Sequence, residues 1–281
     1  MKVAVTGPHG FIGRHVVAEL EGSGVSPVLV VRPAPENVRR SGSRHPVVPM
    51  DLANPPRDAY DALGRPDVVI HLAWSGLPDY GSLHHFEVEL PLHYRFLRTL
   101  VTGGLPHLVV SGTCFEYGLL HGPLEEHRET QPGNPYGFAK DGLRRQLEYL
   151  RGTHPFNLTW ARLFYLYGEG QGPNALWSQL KKAVERGERV FNMSGGEQLR
   201  DYLPVSVAAG HLVTLALRER DHGVVNVCSG TPISVRVLVE TWLREHGWSI
   251  DLNRGHYPYP DYEPMAFWGV REKLDRCVAP S

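Results

Sequence analysis

The sequence contains little cysteine and carries almost no net charge. Among its 281 residues are 3 cysteines, and the formal net charge at pH 7 is −1. Cys114, Cys228 and Cys277 are odd in number and far apart, so they predict neither a disulfide framework nor a C-x-x-C metal motif. A nearly neutral chain also lacks the basic surface with which proteins bind nucleic acid or anionic membranes. We therefore expect no metal site and no nucleic-acid or membrane partner.

Long apolar runs, low-complexity linkers and internal repeats are absent as well. No apolar run approaches the roughly 20 residues that a membrane-spanning helix requires. The N-terminus enters a predicted strand directly, without the pattern of a signal peptide. Hydrophobic residues make up 42% and charged residues 21% of the chain, as in a globular protein. These features indicate a cytoplasmic protein with one large domain or two lobes around a shared core.

A glycine-rich segment stands near the N-terminus. The apolar run at residues 3–5 leads into T-G-P-H-G-F-I-G and then into a helical pattern, which predicts a strand, a tight turn and a helix. Gly7 would permit the sharp bend, Gly10 would let a pyrophosphate approach the backbone, and Gly13 would let the helix pack on the strand.

The start of that helix would offer free N–H groups to the phosphates of a dinucleotide. The alternative is a tight turn that binds no ligand. The residues predicted to bind the cofactor from this segment are Gly7, His9, Gly10, Phe11, Ile12 and Gly13.

The second predicted strand, at residues 27–31, ends at a basic residue. In dinucleotide-binding folds an acidic residue here accepts hydrogen bonds from the 2′-hydroxyl of the adenosine ribose, whereas an arginine favours a 2′-phosphate. The position holds Arg32, and no acidic residue follows before Glu36. The sequence therefore favours NADP(H) as the cofactor and leaves NAD(H) open. The alternative is a solvated basic loop.

Strand patterns alternate with helix patterns along the chain. The predicted strands lie near residues 3–5, 27–31, 47–52, 67–74, 107–110, 158–162 and 224–227. The predicted helices lie near residues 82–101, 136–151, 174–186 and 234–246. In the first of these helices Pro91 would cause a kink or mark the true start. The residues predicted to share one face of it are Phe86, Leu90, Tyr94, Leu97 and Val101.

This alternation predicts an α/β fold of the Rossmann type, in which helices cover both faces of a doubly wound parallel sheet. We assign residues 1–165 to the dinucleotide-binding domain, to which some later segments return. Residues 166–281 are assigned mainly to a smaller substrate-binding lobe.

Tyr136 and Lys140 are four residues apart, on one face of a predicted helix. A free tyrosine has a pKa near 10, and a nearby ammonium would lower the pKa of Tyr136 so that it exchanges a proton near neutral pH. The same lysine can hydrogen-bond a nicotinamide ribose. Such pairs are common by chance, but this one follows both a nucleotide-binding turn and a strand that leads to Thr113. We predict that Tyr136 and Lys140 are catalytic.

With these motifs the chain resembles the extended short-chain dehydrogenases/reductases, specifically the nucleotide-sugar epimerase/dehydratase/reductase group. The resemblance covers nearly the whole chain, and further segments that carry it are Asp51-Leu52, His71-Leu72-Ala73, Ser111-Gly112-Thr113, Arg162 to Gly168 and Arg200-Asp201-Tyr202. It implies an adenine contact for Asp51 and Leu52, and a pyrophosphate and ribose contact for Leu72 and Ala73. It also implies that Thr113 is catalytic, with a hydroxyl that hydrogen-bonds the reacting oxygen.

The resemblance also implies a substrate site for a nucleotide-diphosphate sugar. Arg200 would bind the diphosphate, for which a planar, permanently charged guanidinium is suited. An ion pair of Arg200 with Asp201 or Glu197 is the alternative. The predicted substrate-binding residues are Thr113, Cys114, Tyr136, Asn174 and Arg200.

Departures from the resemblance bear on the reaction. Dehydratases of this group carry Asp-Glu after the threonine, whereas this chain has Cys114-Phe115, and a phenylalanine cannot transfer a proton. Tyr165 stands where the group often has asparagine, so the substrate can sit differently. We expect a reductase of a nucleotide-diphosphate 4-keto-6-deoxyhexose that uses NADP(H). The alternatives are a nucleotide-sugar 4-epimerase that retains NAD and a dinucleotide-binding regulator without turnover.

The resemblance further implies a homodimer formed by the helices that end near residues 101 and 151. Leu143, Leu147 and Leu150 would either line that interface or face the sheet.

Overall fold

A parallel sheet of seven strands forms the centre of the protein, whose computed structural model describes residues 1–40, 42, 44–259 and 263–279. The strands are β1 (Val3–Thr6), β2 (Val28–Val31), β3 (Val47–Pro49), β4 (Val68–His71), β5 (His107–Thr113), β6 (Gly122–Leu124), β7 (Asn157–Leu163), β8 (Tyr165–Tyr167), β9 (Val190–Asn192), β10 (Leu199–Arg200), β11 (Tyr202–Pro204), β12 (Gly223–Val227), β13 (Ile233–Ser234), β14 (Asp251–Asn253) and β15 (Phe267–Gly269). The helices are α1 (Phe11–Gly22), α2 (Pro35–Arg40), α3 (Ala59–Ala62), α4 (Leu90–Thr102), α5 (Pro135–Arg151), α6 (Leu176–Glu185), α7 (Val205–Leu217), α8 (Val235–His246) and α9 (Glu272–Val278).

The strand order of the central sheet is β12-β7-β5-β4-β1-β2-β3. From β1 the chain builds outward through β2 and β3, and it then returns to add β4, β5, β7 and β12 on the other side of β1. The reversal opens a crevice outside the carboxyl ends of β1 and β4, where doubly wound sheets bind their ligands. The predicted fold class is confirmed.

Two apolar layers cover the sheet, because successive residues of a strand face opposite sides. Val3 and Val5 of β1 pack with α1, α7 and α9, whereas Ala4 packs with α4 and α5 on the other face. The leucines on α5 that were considered for a dimer interface, Leu143, Leu147 and Leu150, lie buried in this second layer.

Helix α7 was not predicted from the sequence. Its residues, V-S-V-A-A-G-H-L-V-T-L-A-L, are apolar on most sides and show little amphipathic periodicity. The helix packs against α1 and against the sheet, so it is buried on more than one side.

The predicted helix at residues 82–101 is replaced by two elements. Residues His85–Glu89 form one wide π-helical turn, and the regular helix α4 starts with Pro91 in its first turn. Proline is tolerated there because the first N–H groups of a helix have no partner within it. The predicted face is mostly confirmed, because Leu97 and Val101 are buried and Leu90 and Tyr94 pack partly buried against the same core. Phe86 is the exception: it lies in the π-helical turn, and its ring contacts Phe138. The buried residues of α4 are His93, Phe96, Leu97, Leu100 and Val101.

A smaller apolar cluster lies outside the sheet and holds α6 and α8 together. Trp177 of α6 and Trp242 of α8 pack edge to face with ring centroids 5.0 Å apart. Both helices match their predicted positions within two residues. The chain between these two helices does not stay in this lobe, because β12 pairs in parallel with β7 at the edge of the central sheet.

Within the described residues, no helix combines the length and the apolar character needed to cross a membrane.

Candidate active site

Two neighbouring cavities open at the carboxyl edge of the central sheet. The first has a volume of about 760 Å³ and runs from the end of β2 across the glycine-rich turn to α4. Its lining includes the predicted cofactor residues Gly7, His9, Gly10, Arg32, Asp51, Leu52, Leu72 and Ala73. The second has a volume of about 210 Å³ and lies beyond the end of β5.

The glycine-rich turn has the geometry that a pyrophosphate requires. Gly7 adopts a φ of +68°, and a Cβ on Gly13 would lie 2.0 Å from the carbonyl oxygen of Gly7. Gly10 precedes the first turn of α1, which has no side-chain cap and no acidic residue. The N–H groups at this helix end are therefore available to an anion, which fits the phosphates of a dinucleotide.

The end of β2 leads into the adenosine end of the first cavity. Arg32 is exposed there and lines the cavity together with Glu36 and Asn37. On the opposite wall the Asp51 carboxylate accepts hydrogen bonds from the N–H of Ala53 and the side chain of Asn54, both at 3.0 Å. Asp51 and Arg32 thus both line the first cavity, and their contacts with adenine and with a ribose substituent stay predictions.

The second cavity brings Thr113 and Tyr136 together. Thr113 ends β5 and Tyr136 lies in the first turn of α5, where the Asn134 side chain accepts a hydrogen bond from Gly137 N–H at 2.8 Å. The Thr113 side chain lies close enough to the Tyr136 hydroxyl to oppose part of the rise in its pKa. The rest of the lining is largely apolar and aromatic, and it comprises Phe11, Ile12, Leu77, Tyr80, Gly112, Cys114, Phe115, Leu163, Phe164, Tyr165, Leu166 and Gln171.

Burial raises the pKa of Tyr136 above its usual value, and the nearby Tyr80, Glu116 and Cys114 act in the same direction. The sequence predicted a lowered pKa. The difference has a physical reason: the hydroxyl is removed from water, which disfavours the charged phenolate. Tyr136 is therefore uncharged at neutral pH.

Lys140 lies one helical turn further along α5 and is 1% exposed. Burial lowers its pKa to about 7, and the carboxylates of Glu116 and Glu89 oppose that shift. Its ammonium donates a hydrogen bond of 2.9 Å to the carbonyl of Ser111. The lysine therefore changes its charge close to neutral pH.

The buried carboxylate of Glu116 holds the backbone of Thr113 in place. One oxygen of Glu116 accepts hydrogen bonds of 2.9 Å from the N–H of Thr113 and from Nε1 of Trp160. The other oxygen lies 2.6 Å from Nε of Arg162. The carboxylate thus fixes the end of β5 against β7.

The NAD dependent epimerase/dehydratase family matches residues 3–228 of this chain. The chain belongs to that family. The predicted resemblance is confirmed, and with it the assignment as an enzyme that depends on a nicotinamide dinucleotide.

Individual relatives of this epimerase/dehydratase protein are similar over most of their length. The dTDP-6-deoxy-L-talose 4-dehydrogenase (NAD(+)) of Aggregatibacter actinomycetemcomitans is 29% identical over 278 residues, which cover 96% of this chain and 100% of that protein. The UDP-glucose 4-epimerase of Bos taurus is 28% identical over 290 residues, covering 88% of this chain and 82% of that one. The structure of MoeE5 in complex with UDP-glucuronic acid and NAD has a TM-score of 0.78 at 28% identity, covering 99% of this chain and 92% of that one.

Some predicted site residues of this family member lie away from the predicted cavity. Phe11 and Ile12, predicted as cofactor contacts, line the second cavity, whereas Gly13 is buried within the turn. Asn174 is exposed and lines neither cavity, and its carbonyl accepts a hydrogen bond from Gln179.

Arg200 also lines neither cavity. Its guanidinium is buried over the ring of Phe267, and it donates a hydrogen bond of 2.9 Å to Glu263. Neither partner considered from the sequence holds it, because the carboxylate of Asp201 accepts backbone hydrogen bonds and Glu197 pairs with Arg236. The second oxygen of Glu263 accepts a hydrogen bond from Tyr165, which links Arg200 to the wall of the second cavity.

Cys114 lines the second cavity as predicted, but its thiol is not a nucleophile. Burial raises the pKa of Cys114, and the carboxylates of Glu263 and Asp201 add to the effect. The residue packs in an apolar cluster with Tyr117 and Phe164. It therefore serves as a small apolar side chain beside Thr113.

The sequence analysis missed a group of polar and aromatic residues at the inner end of the first cavity. Trp74, Ser75, Glu89 and His93 line it beside the predicted nicotinamide site. Glu89 and His93 precede and follow Pro91, and only the apolar residues of that segment were used to predict its helix. The H-L-A-W sequence was a usable signal, since a tryptophan directly follows two predicted cofactor contacts.

Proposed function

We propose that the protein is a 4-ketoreductase of a nucleotide-diphosphate 4-keto-6-deoxyhexose, with NADP(H) as its cofactor. The observation that carries this proposal is the pairing of Thr113 and Tyr136 in a small cavity whose remaining walls are mostly apolar. A dihydronicotinamide in the first cavity would supply a hydride to the carbonyl carbon.

Each side chain then has a defined task. The neutral Tyr136 hydroxyl protonates the carbonyl oxygen, and Thr113 holds that oxygen by a hydrogen bond. The raised pKa of Tyr136 favours this direction, since the reduction needs a protonated tyrosine and the reverse reaction needs a phenolate. Lys140, in its charged form, stabilises the phenolate that remains until solvent returns the proton.

The walls of the second cavity support a deoxysugar. Phe115, Leu77 and Leu166 offer no hydrogen bonds to a hydroxymethyl group but pack well against a methyl group. Phe115 and Cys114 also provide no acid/base pair for dehydration. The talose 4-dehydrogenase relative supports the same substrate class, because oxidation at C4 of a 6-deoxysugar is the reverse of the proposed reduction.

The choice of NADP(H) rests on Arg32 at the ribose end of the first cavity. The names of the talose dehydrogenase and of the MoeE5 complex contain NAD, so cofactor choice is the part of the proposal that most needs measurement.

We further propose that Arg200 binds the substrate diphosphate and that the protein is a homodimer. For Arg200 to do so, its guanidinium must release Glu263 and bind phosphate oxygens, or bind both at once.

The dimer would use the outer face of α5, where Phe138 is 55% exposed. Light scattering of the wild type and of Phe138→Asp at micromolar concentration tests it: a monomeric wild type contradicts the dimer.

The experiment for the reaction follows the absorbance of NADPH with a panel of nucleotide-linked 4-keto-6-deoxyhexoses and identifies the product by NMR. We expect stoichiometric oxidation of NADPH and one 4-hydroxy product. A 4-epimerase is the second candidate, and the 28% identity to UDP-glucose 4-epimerase favours it. Conversion of a nucleotide hexose to its 4-epimer without added cofactor, and without net oxidation of NADPH, would establish that candidate instead.

A further inference from the structure

Trp74 lines the first cavity, contacts Tyr136 of the second cavity and is held on several sides. His93 stacks on its indole with ring centroids 4.6 Å apart and an angle of 12° between the planes. The Lys140 ammonium lies 4.0 Å from the indole centroid, and it must occupy the opposite face because the imidazole covers the first. At the edge, Nε1 of Trp74 donates to Nδ1 of His85 at 3.1 Å, and the ring of Tyr136 meets the indole edge to face at 6.0 Å.

The carboxylate of Glu89 fixes the segment that carries this indole. Its two oxygens accept four hydrogen bonds, from the N–H and hydroxyl of Ser75, from His84 and from His93, at 2.7–3.1 Å. Four acceptor contacts saturate a carboxylate. Glu89 is thus an anchor for the chain beside Trp74 and for the imidazole stacked on it, and it has no lone pair left for a ligand.

A chain of hydrogen bonds, each donated in the same direction, connects Glu89 to the central sheet. A carboxylate only accepts, so Nε2 of His93 donates to Glu89 and Nδ1 of His93 accepts from Nε2 of His71 at 2.9 Å. Nδ1 of His71 then accepts from the Thr6 hydroxyl at 2.9 Å. Burial lowers the pKa of both imidazoles, which keeps them neutral and fixes these directions.

The indole face of Trp74 can stabilise the buried ammonium of Lys140. An ammonium that is removed from water loses hydration, and the face of an aromatic ring replaces part of it, most strongly for tryptophan and in desolvated sites. The other charged or titratable groups around Lys140 come from four elements. They are Glu116 after β5, Glu89 and His93 at the start of α4, His71 on β4 and Tyr136 on α5.

We propose that Trp74 is a positioning residue whose indole face keeps the Lys140 ammonium charged and in place beside Tyr136. The effect on turnover rests on the proposed function, whereas the effect on Lys140 itself does not. The substitution Trp74→Leu removes the aromatic face, and Trp74→Phe keeps a weaker one while removing the hydrogen bond to His85.

A lysine titration tests the proposal without any substrate. The chain contains five lysines, Lys2, Lys140, Lys181, Lys182 and Lys273, so carbon–proton correlation spectra of protein with ¹³Cε-labelled lysine are simple, and Lys140→Met identifies its signal. We expect Trp74→Leu to lower the pKa of Lys140 by roughly 0.5–1.5 units and Trp74→Phe to lower it less. Trp248→Leu is the matched control, since Trp248 stacks on His246 at 4.6 Å in the cluster of α6 and α8.

An unchanged or raised pKa of Lys140 in Trp74→Leu overturns the proposal, and so does an equal fall in Trp74→Phe. If Trp74→Leu does not fold, Trp74→Phe alone tests the proposal. The pKa of Lys140 must then fall in Trp74→Phe and must not fall in Trp248→Leu. Turnover gives the second measurement. The charged lysine is the active form, so the pH at which kcat/KM declines on the alkaline side should move down with the measured pKa. A protein that reduces no keto-sugar would refute the proposed function and leave the titration result standing.

Discussion

Nε of Arg162 and Oε2 of Glu116 form an ion pair of 2.6 Å that is closed to solvent and joins β7 to the turn after β5. The guanidinium also lies over the ring of Tyr117, 4.5 Å from its centre. Because the same carboxylate holds the N–H of Thr113, this pair connects the stability of the sheet to the position of the hydroxyl that we propose to be catalytic.

Removal of the negative charge from this pair should destabilise the fold. Glu116→Gln keeps the shape but leaves Arg162 buried without a counter-charge, for which we expect a loss of about 3–5 kcal/mol in the free energy of unfolding. Urea denaturation followed by circular dichroism measures it. Glu240→Gln, which removes an exposed partner of Arg236 on α8, is the control and should leave the midpoint unchanged. Equal midpoints for the two variants would contradict the prediction.

Tyr136→Phe should abolish proton donation and leave the fold intact. We expect turnover to fall by at least ~100-fold, the usual contribution of general acid catalysis, with an unchanged melting temperature. Tyr149→Phe is the matched control, because Tyr149 lies on the same helix and is 83% exposed. Near wild-type turnover in Tyr136→Phe would show that the tyrosine is structural.

Arg32→Ala should weaken NADP(H) binding and leave NAD(H) binding nearly unchanged. The lost charge-assisted hydrogen bond to a 2′-phosphate corresponds to roughly a 10–100-fold rise in Kd. Calorimetric titration of both cofactors measures it, with Arg39→Ala on α2 as a basic residue outside the cavity lining. If the wild type binds NAD(H) as tightly as NADP(H), the assignment of the 2′-phosphate to Arg32 is wrong.

His107 should make the fold sensitive to acid. Burial lowers its pKa to about 4, and its Nδ1 has no hydrogen-bond partner among the described residues. Between pH 6.5 and 4 the unfolded chain binds a proton that the folded chain does not. Stability is therefore lost as the pH falls through this range, by about 3 kcal/mol from this residue.

Urea midpoints at pH 4.5 and 7 test this in His107→Gln, which cannot titrate and should lose less stability between the two pH values than the wild type. His127→Gln, which removes an exposed imidazole, is the control. The same loss in wild type and His107→Gln would refute the assignment.

Local sequence patterns were sufficient to predict the parts of the candidate site that lie within a single turn or helix. The turn from Gly7 to Gly13 and the pair Tyr136 and Lys140 are each set by a few consecutive residues, so their spacing alone predicts their geometry. The alternation of strands and helices also predicted the parallel sheet with helices on both faces.

Contacts between distant segments could not be read in this way. Glu263 holds Arg200 from 63 positions away, and Lys140 meets Trp74 only after α5 packs on the sheet. The predicted lowering of the Tyr136 pKa was wrong for the same reason. Sequence spacing shows that an ammonium is near, but only the packed structure shows how little water remains around the hydroxyl.

The pairing of β12 with β7 also bears on how the chain is made. Gly223 leaves the ribosome about 60 residues after Leu163, which at roughly 5–20 residues per second is a delay of about 3–12 s. During that time the nascent sheet has an open edge at β7, of the kind that pairs with foreign chains. Translation must therefore finish the segment from β8 to α7 before β12, the edge strand of the finished sheet, can dock on β7.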